Sequence, residues 1–254
     1  MPERRRGLLI PGLFTLAVLA VLLGLGIWQL ERKAWKEDLI ETLTKRLESD
    51  PAELPRPADW GRLDANNAEF QRVRVNVKFR TSQDQGQDAL VYTSGSQLRD
   101  DVKGTGLFVF SPARLAGGQT IVVNRGFVPD KNYPQAEGAQ GIAQEIIGVL
   151  RWPEAPSLFV PDRDSAGATW FVRDHRAMAQ ALGWGDVAPF YIEQEDPVPP
   201  GGLPHPSVLR VRLRNDHLQY AITWFGLAFV LVIMFAVWVW RQRRDAASGG
   251  AAAD

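Results

Sequence analysis

Two long uncharged runs mark the ends of the chain, and between them apolar residues cluster on a much shorter scale. From Gly7 to Leu30 no side chain is charged, and at about 1.5 Å rise per residue these 24 residues cover the roughly 30 Å hydrocarbon core of a bilayer. Leu218 to Trp240 is a second uncharged run, of 23 residues. Each predicts a membrane-spanning helix. Trp28 near the end of the first run, and Trp238 and Trp240 at the end of the second, suit the aromatic preference for the membrane interface. The apolar part of a secretory signal is only roughly 7 to 15 residues long, so the first run is expected to be a retained anchor, with a cleaved signal as the alternative.

Beyond the first run Leu39, Leu43 and Leu47 recur four apart among Lys and Glu, which predicts an amphipathic helix continuing to about Glu48 and ended by Pro51, Pro55 and Pro57. Short runs rich in Val, Ile and Phe follow. They are Val73 to Phe79, Leu107 to Phe110, Thr120 to Val128, Ile146 to Leu150, Trp170 to Val172, Phe190 to Ile192 and Val208 to Leu213. Glycine and proline clusters separate them, as in a mostly antiparallel sheet or barrel. A short helix is predicted from Asp174 to Leu182, with Asp174 as cap and Gly183 as stop. The Ala/Gly-rich end after Arg244 predicts a disordered tail, and no internal repeat is visible.

The fold class expected is therefore an α+β membrane protein: two transmembrane helices flanking a β-rich, mostly antiparallel sheet or barrel domain with one or two short helices. The divisions are 1–6, a cytoplasmic N-terminus; 7–30, the first span; 31–217, a periplasmic β-rich domain; 218–240, the second span; and 241–254, a cytoplasmic disordered tail.

Charge sets the orientation. Arg4, Arg5 and Arg6 precede the first span, and Arg241, Arg243 and Arg244 follow the second, so both ends are expected in the cytoplasm and the middle outside. Arg32, Lys33 and Lys36, with Arg210, Arg212 and Arg214, stand on the opposite flanks, but large domains translocate largely regardless of charge. Six residues before the first span leave no room for a mitochondrial presequence, which points to a bacterial inner membrane. Lys plus Arg equal Asp plus Glu at 29 each, so nothing in the net charge calls for nucleic acid. With no cysteine, disulfides, zinc–thiolate centres and thiol redox pairs are excluded.

Catalysis is not expected. There is no Gly-x-Ser-x-Gly elbow, no phosphate loop and no His-Glu-x-x-His, and the three methionines form no copper-binding cluster. Of the three histidines, His175 and His205 read as ordinary solvated residues. His217 stands at the outer mouth of the second span, where an ionisable group is a functional candidate by default and a polar interface residue otherwise. At 100° per residue Ala221, Trp224 and Ala228 fall within about 40° of it, giving a face that suits either a flat macrocycle with His217 on its iron or a closely packed second helix. Ala17, Ala20 and Gly24 form a comparable small stripe on the first span. Arg210, Arg212 and Arg214 alternate with apolar residues, and in a strand three guanidinium groups would share one face; a solvated or lipid-touching face is the first expectation, and pairing with carboxylates or phosphates, such as haem propionates or lipid headgroups, the alternative.

The chain resembles the Surfeit locus protein 1 family, assembly factors for haem–copper cytochrome c oxidase. The likeness runs through Gly26-Ile27-Trp28-Gln29-Leu30 with Lys36, Val123-Asn124-Arg125-Gly126-Phe127-Val128-Pro129, Leu150-Arg151 and Phe159-Val160-Pro161. It continues through Trp170, Asp174 and Met178-Ala179 to the stretch Asn215-Asp216-His217-Leu218-Gln219-Tyr220-Ala221-Ile222-Thr223-Trp224-Phe225-Gly226-Leu227. Phe127 replaces the family's usual tryptophan. The resemblance implies a non-enzymatic role, assisting insertion of haem a into oxidase subunit I. It implies transient haem a binding with His217 on the iron, and Trp224, Ala221, Tyr220, Arg214 and Arg212 are then the candidates to surround the group. The partners implied are subunit I, membrane lipid and, as a second candidate, a haem a synthase. Rival expectations are a haem-free scaffold for subunit I, a membrane-anchored periplasmic ligand-binding sensor and, more distantly, an enzyme of haem a synthesis.

Overall fold

The structure is a computed structural model that describes residues 6–81, 87–96, 98–99, 101–102, 104–129, 141–154, 163–164, 169–210 and 215–250. The chain divides into two compact units, Met1–Glu41 with Leu213–Asp254, and Thr42–Arg212.

In the first unit the two uncharged runs are helical and meet both the length and the apolarity needed to cross a bilayer. Helix α1 spans Arg6–Glu48, so the first run and the predicted amphipathic extension form one helix. Helix α4 spans His217–Gly250. It takes in His217, and it continues past Arg244, so 245–250, expected as disordered tail, are helical. On α1, Gly12, Thr15, Leu19, Leu22, Gly26 and Gln29 are buried or half-buried, and on α4 so are His217, Ala221, Trp224, Ala228, Leu231, Phe235 and Trp238. Both sets step by three and four residues alternately, the spacing of a two-stranded left-handed coil. Gly12 faces Phe235, Gly26 faces Phe225 and Gln29 faces His217, so the helices run antiparallel. Gly26 is needed here because a Cβ on it would sit 2.6 Å from the Phe225 ring. The expected stripe of Ala17, Ala20 and Gly24 is exposed instead. Each lies one or two positions off the heptad seam, and spacing of small residues alone did not reveal that offset.

The second unit is built on a closed circuit of five strands. Strand β2 (Arg72–Phe79) pairs antiparallel with β6 (Ala143–Arg151), β6 antiparallel with β8 (Val187–Asp196), β8 parallel with β5 (Thr120–Val128), and β5 antiparallel with β4 (Gly106–Arg114). Lys78 and Phe79 then meet Arg114 and Ala113, closing the barrel. Strand β3 (Ala89–Thr93) lies along the other end of β4 and carries the two-residue β7 (Thr169–Trp170), while β1 (Ala52–Glu53) edges β2. The expected strand at Trp170 to Val172 shrinks to β7, and 208–210 are coil, with Leu209 buried instead against Leu47, Phe70 and Val149. Residues 211–213 of that expected strand lie outside the described residues.

Alternation along the strands divides two cores. Val73, Val75, Val77, Phe79, Ile121, Val123, Ile146, Leu150, Phe190 and Ile192 fill one, closed by Trp60 from the 3-10 helix Pro57–Arg62, whose ring meets Phe190 edge-on at 5.3 Å. Phe108, Phe110, Val122, Phe127 and Tyr191 belong to the other, with Met178 and Ala179 of helix α3 (His175–Leu182) and Trp184. Helix α3 begins and ends as its sequence predicts. The Asp174 carboxylate accepts from the backbone N–H of Arg176 and Ala177 at 3.0 and 3.1 Å, and Gly183 takes the left-handed conformation at φ 70°. A four-residue helix α2, Ala65–Ala68, follows an Asp64–Asn67 capping box.

Candidate functional site

His217 opens helix α4 and is half-buried. Its Nδ1 lies 2.7 Å from Oε1 of Gln29, in the last turn of the apolar run of α1. A carboxamide oxygen only accepts hydrogen bonds, so with Oε1 facing the ring Nδ1 is the donor. Nε2 has no hydrogen-bond partner among the described residues. A ring with one nitrogen tied to a carbonyl-type oxygen and the other available is the form in which histidine enters metal and haem sites.

The neighbours expected around His217 divide. Ala221 and Ala228 are only 1% and 3% exposed, which takes the small-residue face out of reach of a flat ligand in this arrangement. That face is the helix–helix seam, the second of the two uses its composition allowed. Trp224 is half-buried on the seam, and Tyr220, 55% exposed, points away from it. Arg212 and Arg214 lie outside the described residues, and Arg210 is exposed with its backbone N–H donating to Leu98. Gln29 was quoted in sequence only as part of a family-like stretch. The signal for it was a lone carboxamide in the last turn of an otherwise apolar run, and nothing in the sequence names its partner.

The β unit carries a buried polar layer of its own. Arg151 reaches Glu69 at 3.1 Å and Glu193 at 3.6 Å, and although burial opposes its charge, Tyr191, Glu193 and Glu69 together hold its pKa above the ordinary value. Burial pushes the Tyr191 phenol up to about 12. Asn124-Arg125-Gly126 lies inside β5, where the pairing with β4 shifts register. The Asn124 side-chain oxygen accepts from the Gly126 N–H at 3.2 Å, and the Arg125 guanidinium lies 4.7 Å over the Phe79 ring. Gly126 has φ 129°, and any Cβ there would run into the His205 carbonyl. This close approach lets Phe127 and His205 exchange backbone hydrogen bonds at 3.0 and 2.8 Å, while Arg99 donates to the same His205 oxygen at 2.7 Å. Burial works against the Asp101 charge, but the hydrogen bond and charge of Arg99 outweigh it and hold that carboxyl below the usual range.

His205 has an exposed side chain, as expected. His175 does not. It is fully buried, with Nε2 3.0 Å from the Ala188 carbonyl, and burial lowers its pKa to about 4. The solvated role expected for it fails because α3 turns its first residue inward, toward Tyr191. No group of three or more potential metal ligands occurs among the described residues.

A family profile described as the SURF1 family matches residues 16–229. The SURF1-like protein of Monosiga brevicollis is 35% identical over 243 residues, covering 92% of this chain and 88% of that protein. Surfeit locus protein 1 of Takifugu rubripes is 33% identical over 84% of this chain and 90% of its own length. Surfeit locus protein 1 of Homo sapiens is 34% identical over 81% of this chain and 69% of its own length.

Proposed function

Since the chain belongs to the SURF1 family, we propose that it is a non-enzymatic assembly factor for haem–copper cytochrome c oxidase, assisting insertion of haem a into subunit I by transient binding at helix α4. The observation that supports this reading is the placement of His217, with Nδ1 tied to Gln29 and no partner for Nε2 among the described residues. Haem a is cargo here, so the site must release it as well as hold it. One histidine at a helix mouth, beside the exposed Tyr220, suits exchange better than a closed cage with two ligands. The reading places both termini in the cytoplasm of a bacterium, the β unit in the periplasm and the helices in the inner membrane. Subunit I is the proposed client, and a haem a synthase a proposed donor.

The test is the absorption spectrum of the detergent-solubilised protein from cells that make haem a. The expected result is bound haem in the wild type and loss of at least 90% of it in His217→Ala. Haem-free wild type, or equal haem in the variant, refutes the carrier reading. A haem-free scaffold is the second reading, and the closed Ala221–Ala228 face favours it. Under that reading deletion of the gene lowers oxidase assembly while the purified protein stays colourless.

A further inference from the structure

We propose that Gln29 is the positioning residue of the His217 site, selecting the tautomer that presents Nε2 and fixing the plane of the ring; this rests on the reading of His217 as the iron ligand. The geometry is that of two helices contributing to one ligand. His217 supplies the nitrogen from the first turn of α4, and Gln29 supplies the acceptor from α1, 188 residues away in sequence and 2.7 Å away in space. Three features of the seam make the contact possible. Gln29 holds a heptad position, three residues beyond Gly26. Gly26 admits the Phe225 ring where any larger residue would not, which keeps the helices close. Ala221, one turn beyond His217, is 1% exposed and too small to push the helices apart.

An imidazole without this acceptor divides itself between two tautomers and rotates about its own side-chain bonds. Held by Gln29 through Oε1, the ring is restrained in rotation and the form protonated at Nδ1 is favoured, because that form satisfies an acceptor at that point. The hydrogen bond also increases the electron density donated from Nε2, which strengthens iron–imidazole bonding and favours the ferric state. A site organised in this way depends on both spans. Loosening the helix pair withdraws the acceptor and weakens the ligand without any change in His217, which is a physical route from helix movement to cargo release.

The test uses the full-length protein in detergent, titrated with ferric protoporphyrin IX, with binding followed by the Soret band and the midpoint potential by redox titration. Gln29→Leu removes the acceptor and is expected to weaken binding about 10- to 100-fold. Gln29→Glu keeps an acceptor and is expected to bind within a few-fold of wild type, with a more negative midpoint potential. The inference is overturned if Gln29→Leu matches wild type in affinity and potential, or if Leu and Glu impair binding equally, the pattern of mere packing. In either of those cases loss of haem in His217→Ala leaves the carrier reading standing. No binding by wild type, or unchanged binding by His217→Ala, overturns both.

Discussion

At the scale of single residues, two histidines differ in environment, His175 fully buried and His217 half-buried. His175 is buried and neutral, with its pKa lowered to about 4 from 6.5. Between those values the unfolded chain takes up a proton that the folded chain refuses. The stabilising contribution is therefore complete above pH 6.5 and lost as pH falls toward 4. Its full size is about 3 kcal/mol. Unfolding free energy measured by denaturant titration should fall over this window in the wild type, and His175→Gln, which keeps a donor for Ala188, should flatten the fall. An unchanged slope in the variant would show that His175 does not carry the effect. Asp88 and Glu195, whose pKa values burial raises, act in the opposite sense but are common to both proteins. His217 was legible in sequence because an ionisable residue beside a long apolar run is conspicuous. His175 was not, because a polar residue in the first turn of a short helix reads as solvated until the strand beneath it is known.

At the scale of elements, what could be read depended on local punctuation. Helix α3 was legible to the residue because Asp174 and Gly183 bracket it, and the long helices because an uncharged run of that length has few other uses. The apolar stretches of β4 and β5, the latter broken by Asn124-Arg125-Gly126, were visible because both their faces are covered, one by the barrel interior and one by α3 and its neighbours. Strand β3 was missed because five residues hold only three buried positions, and β1 because two residues carry no period. The helix seam was missed in its phase, since Gly26 is committed by a ring on the partner helix. Gly26→Ala should destabilise the helix pair by about 1–3 kcal/mol, as overpacking does. Trimming the ring with Phe225→Leu in the same protein should recover at least half of that, since touching residues are not additive. Unfolding of the solubilised protein in a graded detergent series reads both effects, and no recovery in the double variant would locate the cost elsewhere.

At the scale of the molecule, the β unit owns its cores and its closure, so Thr42–Arg212 should fold when excised, giving a β-type far-ultraviolet spectrum and one cooperative unfolding transition. A fragment ending at Asp186 should not, because β8 lies between β5 and β6 and its loss opens the barrel along two edges. Dye binding and aggregation of the shorter fragment are the expected signs. That placement of β8 also sets a timetable. A ribosome finishes β5 at Val128 and reaches β8 at Val187 about 60 residues later, roughly 3–12 s at about 5–20 residues per second. During that interval the nascent chain already has its first anchor, but β5 is paired only with β4 and β6, once made, only with β2, so each keeps one open edge waiting for the strand that joins them. A premature stop between Arg151 and Val187 makes the wait permanent, leaving a tethered, open-edged product for proteases rather than a shortened but working protein.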